Sequence, residues 1–319
     1  MKNLYLAIGL LFCVAAPASS QEAFPSKPIT LVVPYAPGGS TDVLVRALGK
    51  VVTAQTGQAV IVENRPGGAT VIGAQAVLNK PADGYTGFVS AASFVINPHL
   101  MKLPFEPLKD FQPVTLLATN PHVLVVSSKV PASTLPQFLD WARGKAGGAN
   151  YASFGNGSSG HIGFELFNQM AGIDLEHVAY KGSAPATMAV VSGEVDATLG
   201  DIGVVAPHIK AGKVKALAIT GDKRNSLLPD VPTFAESGLP KYTSQTWMGL
   251  WVRNGVPADH AGKLNDIFTK ALQNQDVQKL LAEQGVQARP TTADQFKAFA
   301  ESESDKYKTA IQKANIKIE

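Results

Sequence analysis

Residues 29–42, ITLVVPYAPGGSTD, restrict the fold of this chain more than any other segment. An apolar, β-branched run stops at Pro37-Gly38-Gly39, and an apolar-periodic stretch follows at residues 43–52. This order predicts a strand, a glycine-rich turn and a helix, because glycine adopts backbone conformations that are closed to other residues. The first N–H groups of such a helix lack intrahelical partners and carry the positive end of its dipole. The turn therefore predicts a binding site for an anion.

The first 20 residues have the layout of a secretory signal peptide. One positive charge, Lys2, precedes an apolar core at residues 4–14, and small residues follow. The apolar run is too short to cross about 30 Å of hydrocarbon. We therefore predict a signal peptide over residues 1–20, cleaved after Ala18 or Ser20, and an exported, periplasmic protein.

Composition excludes several kinds of site and partner. Cys13 is the only cysteine, so the exported chain is expected to have no disulfide and no thiolate metal site. Phe12 stands where a lipoprotein signal has a small residue, which makes a lipid anchor the less favoured alternative. Removing Lys2 from the 28 basic residues leaves 27 against 25 acidic ones, and this balance predicts no nucleic-acid partner.

Short β-rich runs alternate with amphipathic stretches along most of the chain, which predicts an α/β fold with a parallel-type sheet. The expected strands are residues 29–34, 59–62, 86–90, 149–153, 176–179, 196–199, 214–219 and 244–252. The expected helices are residues 42–55, 69–79, 135–143, 159–171, 184–192 and 202–211, followed by an almost wholly helical stretch at 259–315 with breaks at Gly285 and Pro290. Between these sets lie two apolar runs, 114–118 and 123–126, separated by Pro121.

About 300 mature residues exceed what one core usually organises, so we expect two domains. If the strand at residues 244–252 returns to the first sheet, domain 1 is discontinuous and comprises residues 24–123 plus 246–319. Domain 2 is then the inserted segment 124–245. The chain then passes between the domains twice, and two such connections form a hinge. The cleft between the domains is where small ligands usually bind.

A second glycine-rich loop, residues 155–160, follows an expected strand and opens a helix. It matches the G-x-G-x-x-G pattern of dinucleotide sites, and Asp174 lies 19 residues beyond Gly155. The motif is nevertheless mid-chain, Asp174 precedes the strand that it should close, and an exported protein rarely meets a nicotinamide cofactor. We therefore interpret the loop as another anion-binding helix start, with a purely structural helix cap as the alternative.

Two further turns have competing interpretations. The turn at residues 65–68 follows Glu63, and a charge pair between Glu63 and Arg65 favours a structural role over ligand contact. The turn at residues 180–185 has Ser183 as a candidate N-cap and Pro185 in the first turn of a helix. For this turn, ligand contact and simple helix capping are both left open.

Catalysis has little support in the sequence. No serine lies in a G-x-S-x-G elbow, and the six histidines show no metal-ligand spacing with each other or with carboxylates. Only His161, at a glycine-rich helix start, is a candidate functional histidine. Asp196 and Asp201 flank one strand and could form an acid/base pair, but a strand-end polar residue facing the cleft is the more economical interpretation. We predict no enzyme, no cofactor and no metal.

Several motifs together resemble the periplasmic solute-binding proteins of the tripartite tricarboxylate transporter system, also called Bug receptors. The resemblance covers essentially the whole mature chain. Its motifs are PYAPGGSTD at residues 34–42, VENRPGGA at 62–69, DGY at 83–85, NP at 97–98, YKG at 180–182, PHIKAG at 207–212 and LPDVPT at 228–233. This resemblance implies a two-domain type II periplasmic-binding (Venus flytrap) fold with a hinge and an interdomain cleft.

The resemblance also implies that the cleft holds a carboxylated solute between two glycine-rich loops and that the protein delivers it to membrane transporter subunits as a monomer. Expected ligands are dicarboxylates, tricarboxylates, acidic amino acids and aromatic acids. Carried over to this chain, the first loop supplies Tyr35, Ala36, Gly38, Gly39, Ser40, Thr41 and Asp42. The opposing loop supplies Asn156, Gly157, Ser158, Ser159 and His161. Ser93, after the third strand, and the strand-end residue Asp201 complete the predicted site.

Asp42 is an unexpected neighbour for an anion, because like charges repel. We expect its carboxylate to cap backbone N–H groups or to orient a water molecule toward the ligand. Two alternative functions stay open. One is an exported enzyme of the same fold that uses His161 with Asp201 or Asp42 as acid and base, and the other is a sensor that presents the closed protein to a signalling receptor.

Overall fold

The computed structural model describes residues 24–145 and 147–316, and the predicted signal peptide lies outside them. Within these residues, helices pack on both faces of a ten-stranded sheet. The strands are β1 (Ile29–Val33), β2 (Val60–Asn64), β3 (Thr86–Ala91), β4 (Phe111–Ser127), β5 (Ala149–Ser153), β6 (Leu175–Ala179), β7 (Ala197–Asp201), β8 (Val214–Ile219), β9 (Gln245–Arg253) and β10 (Gln287–Ala288). The helices are α1 (Ser40–Thr56), α2 (Val71–Leu78), α3 (Ser93–Ile96), α4 (Pro107–Asp110), α5 (Leu135–Gly144), α6 (Ser159–Ala171), α7 (Ser183–Ser192), α8 (Ile202–Lys210), α9 (Ala258–Leu272), α10 (Gln275–Glu283) and α11 (Ala293–Lys313).

The sheet has two halves that share β4. The strand order is β2-β1-β3-β9-β4-β7-β5-β6, and β8 and β10 pair with β4 beside this path. Pairing is parallel among β1, β2 and β3, and also among β5, β6 and β7. The predicted parallel-type sheet is therefore correct at both ends and wrong in the middle. There, β9 returns from the far end of the chain and runs antiparallel to both β3 and β4.

The two apolar runs around Pro121 belong to one strand. β4 pairs with β9 as far as Pro121, opposite Gln245, and pairs with β7 from His122, opposite Asp201. Proline has no N–H to donate to a ladder, so it is tolerated where the strand changes its partner. The C-terminal region is helical with an interruption where the breaks at Gly285 and Pro290 were expected, and the short strand β10 forms in this interruption and pairs with β4.

Side-chain alternation along the strands builds a core on each face of each half. In β1, Leu31 packs in the cluster that contains Leu44 of α1, whereas Val32 packs on the other face with Phe88. In the second half, Leu124 and Val126 join one buried cluster, and Val123 and Val125 join the opposite one. Both halves are therefore three-layer α/β/α units, as the alternating sequence predicts.

One glycine in β9 makes room for an aromatic ring of α11. Trp247, Gly249 and Trp251 alternate onto one face of the sheet, and the Phe296 ring lies 4.5 Å from the Trp251 ring, centroid to centroid. Both tryptophans and Phe296 are fully buried. A Cβ atom added at Gly249 would lie 2.0 Å from Cζ of Phe296, so only glycine fits beneath this ring.

We predict that Gly249→Ala destabilises the protein by roughly 1–3 kcal/mol, because the added methyl overpacks a filled core. The matched control is Gly262→Ala in α9, where an added Cβ meets no atom within 4 Å. This control should stabilise the protein by roughly 0.5–1 kcal/mol, since alanine is the better helix former. Urea unfolding measures both changes, and equal effects of the two substitutions would contradict the packing account.

Candidate functional site

A cavity of about 680 Å³ lies between the two halves, at the carboxyl ends of the parallel strands. This edge of an α/β sheet is where ligands usually bind, because helices begin there. The first residues of α1, α6 and α7 contribute to the wall. The lining residues are Tyr35, Gly38, Gly39, Ser40, Thr41, Ala91, Ala92, Ser93, Asn120, Phe154, Ser158, Ser159, Gly182, Ser183, Ala184, Asp201, Gly203, Val204, Thr246, Glu283, Gln284 and Val286.

Asp42 holds the first glycine-rich loop in shape. The buried carboxylate accepts the Gly38 N–H at 2.9 Å, Arg46 Nε at 3.0 Å and Asn64 Nδ2 at 2.9 Å. Burial opposes ionisation, but the hydrogen bonds from Arg46, Gly38 and Asn64 together hold the pKa of Asp42 below its usual value. The expected backbone capping is confirmed. The carboxylate stabilises the loop through these hydrogen bonds, and Asp42 is not among the residues that line the cavity.

The second glycine-rich loop is held by Ser158 and His161. Ser158 is the N-cap of α6, and its hydroxyl accepts the His161 N–H at 3.2 Å. Nδ1 of His161 accepts the Gly157 N–H at 3.1 Å, and the imidazole stacks on His177 with 3.8 Å between ring centroids. Burial lowers the pKa of His161 to about 3, so the ring is neutral at physiological pH and its Nδ1 remains an acceptor.

Two of the converging helix starts have no capping side chain. The N-cap residues of α1 and α7 are Gly39 and Gly182, and neither has a side chain that could accept a hydrogen bond from the first turn. The Ser183 N-cap prediction is therefore wrong by one residue, because Gly182 has φ 117°, a conformation that favours glycine. These ends keep first-turn N–H groups for other acceptors, which is the property that binds anions.

Tyr35 and Ser93 link the first loop to the end of β3. Their hydroxyl groups lie 2.9 Å apart, and the Ala91 N–H donates to the Tyr35 hydroxyl at 2.9 Å. Burial raises the pKa of Tyr35, so its hydroxyl stays protonated. The pair adds neutral hydroxyl groups to the wall beside the α1 start.

The inner wall of the cavity is polar and is built where β4, β7 and β9 adjoin. Asn120 Nδ2 donates to Asp201 Oδ1 at 3.2 Å, and Thr246 Oγ1 donates to the same oxygen at 3.4 Å. Thr246 Oγ1 also lies 3.0 Å from Ser159 Oγ and 3.2 Å from Nε2 of His122. Burial raises the pKa of Asp201 to about 6 despite hydrogen bonds from Ser183 and Thr246.

Most of the predicted site residues meet at this cavity. Those in its lining are Tyr35, Gly38, Gly39, Ser40, Thr41, Ser93, Ser158, Ser159 and Asp201. Those outside it are Ala36, Asp42, Asn156, Gly157 and His161. The side chains of Asp42 and His161 instead accept backbone N–H groups of their own loops, and Ala36 and Asn156 are exposed.

Sequence reasoning missed Asn120, Thr246 and Phe154 altogether. Asn120 and Thr246 lie within strands, where no local motif marks them. Ser183 had a usable signal, since its turn follows a strand and opens a helix as the other two loops do.

The charge pair that favoured a structural role for the turn at residues 65–68 is present, with Arg65 Nη2 3.0 Å from Glu63 Oε2.

Charge in the site comes from few groups. Among the described residues that line the cavity there is no Lys, Arg or His, so an anion here would rely on N–H and hydroxyl donors.

Residues 24–145 and 147–316 contain no cluster of His, Cys, Asp or Glu arranged to hold a metal ion. Across the same residues, no helix has both the length and the apolar character needed to cross a bilayer.

We predict that Asp201→Asn changes how stability depends on pH. With a pKa of about 6 in the folded protein against the ordinary 3.8, Asp201 binds its proton more tightly when folded. Stability from this proton is therefore lost as the pH rises from 4 through 6, by a total of roughly 2–3 kcal/mol. Urea unfolding of ligand-free protein should show the wild type losing this amount relative to the variant. A difference that stays constant with pH would contradict the raised pKa.

Comparisons with known proteins agree with this architecture. The sequence profile of the tripartite tricarboxylate transporter family receptor matches residues 44–316. Protein BugT of Bordetella pertussis is 32% identical over 324 residues, covering 100% of this chain and 99% of BugT. The structure of R. palustris Rpa4515 with adipate has a TM-score of 0.81 at 30% identity, covering 92% of this chain and 99% of that one.

The structure of the periplasmic binding protein BugD has a TM-score of 0.78 at 28% identity, covering 92% of this chain and 99% of BugD. Similarity over the full length of these proteins confirms the predicted class of fold. The chain belongs to the tripartite tricarboxylate transporter receptors, the Bug family of two-domain, type II periplasmic solute-binding proteins.

Proposed function

We propose that this receptor captures a small carboxylate in the cavity between its halves and delivers it to the membrane subunits of a tripartite tricarboxylate-type transporter. The observation that carries the proposal is the convergence of the α1 and α6 starts on one cavity whose described lining has no basic side chain. Rpa4515, which is similar along nearly its whole length, has been solved with the dicarboxylate adipate. We further propose that the chain acts in the periplasm as a monomer and not as an enzyme.

Donors on both sides of the cavity would hold the carboxylate. We propose that the contacts come from Tyr35, Gly38, Gly39, Ser40, Thr41, Ser93, Ser158 and Ser159. Hydrogen bonds to a charged group contribute about 1.5–3 kcal/mol each, and helix ends contribute up to about 1 kcal/mol. Four or five such contacts reach the roughly 8 kcal/mol of a micromolar complex once the costs of ordering are subtracted. An arginine is not required.

Because the proposed donors lie on both halves, the protein also has a reason to close on its ligand. We propose residues 24–123 plus 246–319 as one domain and residues 124–245 as the inserted domain. The two segments in which the chain passes from one domain to the other then lie side by side, because Pro121 of β4 pairs with Gln245 of β9. A hinge at this pair would let the halves move toward the ligand, and only the closed state would satisfy both sets of donors.

The function is tested by a thermal-shift screen of the mature protein against mono-, di- and tricarboxylates. A ligand at 100 times its dissociation constant should add about 2.7 kcal/mol of stability. Isothermal titration then measures the affinity of each compound that raises the melting temperature. If no carboxylate in the panel raises it, the proposed function is wrong.

We predict that Gly39→Val abolishes carboxylate binding while the protein still folds. A Cβ at Gly39 would have only the Ala36 carbonyl oxygen nearby, at 3.6 Å, so the loop itself tolerates a side chain. The same Cβ would stand between the ligand and the backbone donors of α1. Gly144→Val is the matched control, since nothing lies within 4 Å of its Cβ position and the residue is outside the cavity. Retained affinity in calorimetric titration of Gly39→Val would rule out this role for the loop.

A further inference from the structure

The two proposed domains also touch at a place that is not one of their chain connections. The turn between α10 and β10, residues 283–286, packs against the start of α8 and against residues 225–227. The turn belongs to domain 1, and the other two segments belong to the inserted domain. We call this packing the α8 contact.

Glycines on both sides let the two backbones approach closely. A Cβ atom added at Gly203 of α8 would lie 2.9 Å from the carbonyl oxygen of Gln284 and 3.2 Å from its Cα. A Cβ added at Gly285 would lie 2.5 Å from Cγ2 of Ile202 and 3.2 Å from Cδ1 of Leu227, and the φ of 67° also favours glycine there. The domains can therefore take their present arrangement only with glycine at these positions.

A buried side chain of the inserted domain adds a hydrogen bond to the α8 contact. Asn225 is 6% exposed, and its Nδ2 donates to the carbonyl oxygen of Gly285 at 3.2 Å. Its Oδ1 accepts the Leu227 N–H at 2.9 Å, which fixes the orientation of the amide. One end of this amide thus holds its own turn, and the other end reaches across to domain 1.

The α8 contact is a narrow strip between two cavities. Gly203 and Gln284 line the ligand cavity on one side. Asn225 and Gly285 line a second cavity, of about 540 Å³, on the other side, and Val286 lines both. Such a strip can separate without opening the core of either domain. Asn225 itself is not among the residues that line the ligand cavity.

The α8 contact also lies beside the proposed hinge. β10, which follows the turn, pairs with Ala118 and Thr119 of β4, just before Pro121. On the other side, α8 follows Asp201, which pairs with His122. A small displacement beside a hinge becomes a larger one farther away, so the packing here sets the distance between the α1 and α6 starts.

We propose that the α8 contact holds the domains at the angle seen in the structure and that Asn225 is a positioning residue for ligand binding. The proposal rests on the proposed function, in which donors on both halves must reach one ligand. Weakening the contact gives the open state more population. The apparent affinity then falls with the fraction of molecules that remain competent to bind.

The first test uses Asn225→Asp in the mature protein. The variant keeps the acceptor for the Leu227 N–H, but it sets a carboxylate oxygen against the carbonyl of Gly285 in place of the donor. Small-angle X-ray scattering of ligand-free protein should give a larger radius of gyration than for the wild type. In calorimetric titrations with adipate, malate, citrate and benzoate, each compound that binds the wild type should bind the variant about tenfold more weakly.

Asn168→Asp is the matched control, because its hydrogen bonds stay within the inserted domain. Asn168 is 5% exposed, donates to the Leu175 carbonyl at 3.2 Å and accepts the Leu175 N–H at 3.4 Å. This control should lower stability but leave the radius of gyration and the affinities unchanged.

Two results would overturn the inference: an Asn225→Asp protein with the scattering or the affinities of the wild type, or an equal expansion in Asn168→Asp. If none of the four compounds binds the wild type, the scattering comparison alone decides the inference. The proposed function is decided separately, by the thermal-shift screen.

Gly203→Ala tests the other side of the α8 contact and keeps the inference testable if Asn225→Asp does not fold. The added Cβ meets backbone atoms of Gln284, which can move away only with the turn. The radius of gyration should rise, and affinity should fall by about tenfold or more. Gly262→Ala, with no atom within 4 Å of its Cβ position, should change neither. A Gly203→Ala protein that scatters as the wild type does would contradict the proposed role of the contact.

Discussion

Strand β4 is the element on which both halves of the molecule depend. It pairs with β9 along its first part and with β7 and β8 along its second, and nearly all of its residues are buried. A strand that is covered on both faces must satisfy its backbone hydrogen-bonding groups by pairing with other strands. The ladder with β7 therefore begins where the ladder with β9 ends. Asn120, directly before that point, belongs to the inner wall of the cavity.

The shared strand explains why the cavity has polar residues deep inside it. Asn120 lies on β4, Thr246 on β9 and Asp201 at the end of β7, and the change of partner brings all three within hydrogen-bond distance. Nε2 of the buried His122 imidazole lies within hydrogen-bond distance of Thr246 Oγ1, at 3.2 Å. This imidazole remains neutral, because burial lowers the pKa of His122 to about 3. Positive potential in the cavity therefore comes from helix starts, while the inner wall supplies acceptors.

Local rules account for the predicted site residues that the structure brings together at the cavity. A strand, a glycine-rich turn and a helix follow one another in the sequence, so residues 34–42 and 155–160 could be identified without any long-range contact. The same rules could not show where a side chain points. Asp42 and His161 look like ligand contacts in the sequence, but each accepts an N–H from its own loop because that loop must satisfy its backbone donors. Ser183 was predicted as a cap one residue too late, since the positive φ of Gly182 is set by the fold.

The sequence alone determined the α/β class, the glycine-rich helix starts and the lack of any cysteine beyond Cys13, because each is a property of neighbouring residues or of composition. Only the tertiary structure decided that β4 is one strand and that Asn120 meets Asp201, 81 residues away. The physical reason is that strand register is fixed by pairing and burial across the whole sheet, and no local pattern contains it. The glycine-rich helix starts could therefore be predicted from the chain, whereas the contribution of Asn120 and Thr246 to the cavity wall became visible only once the sheet was assembled.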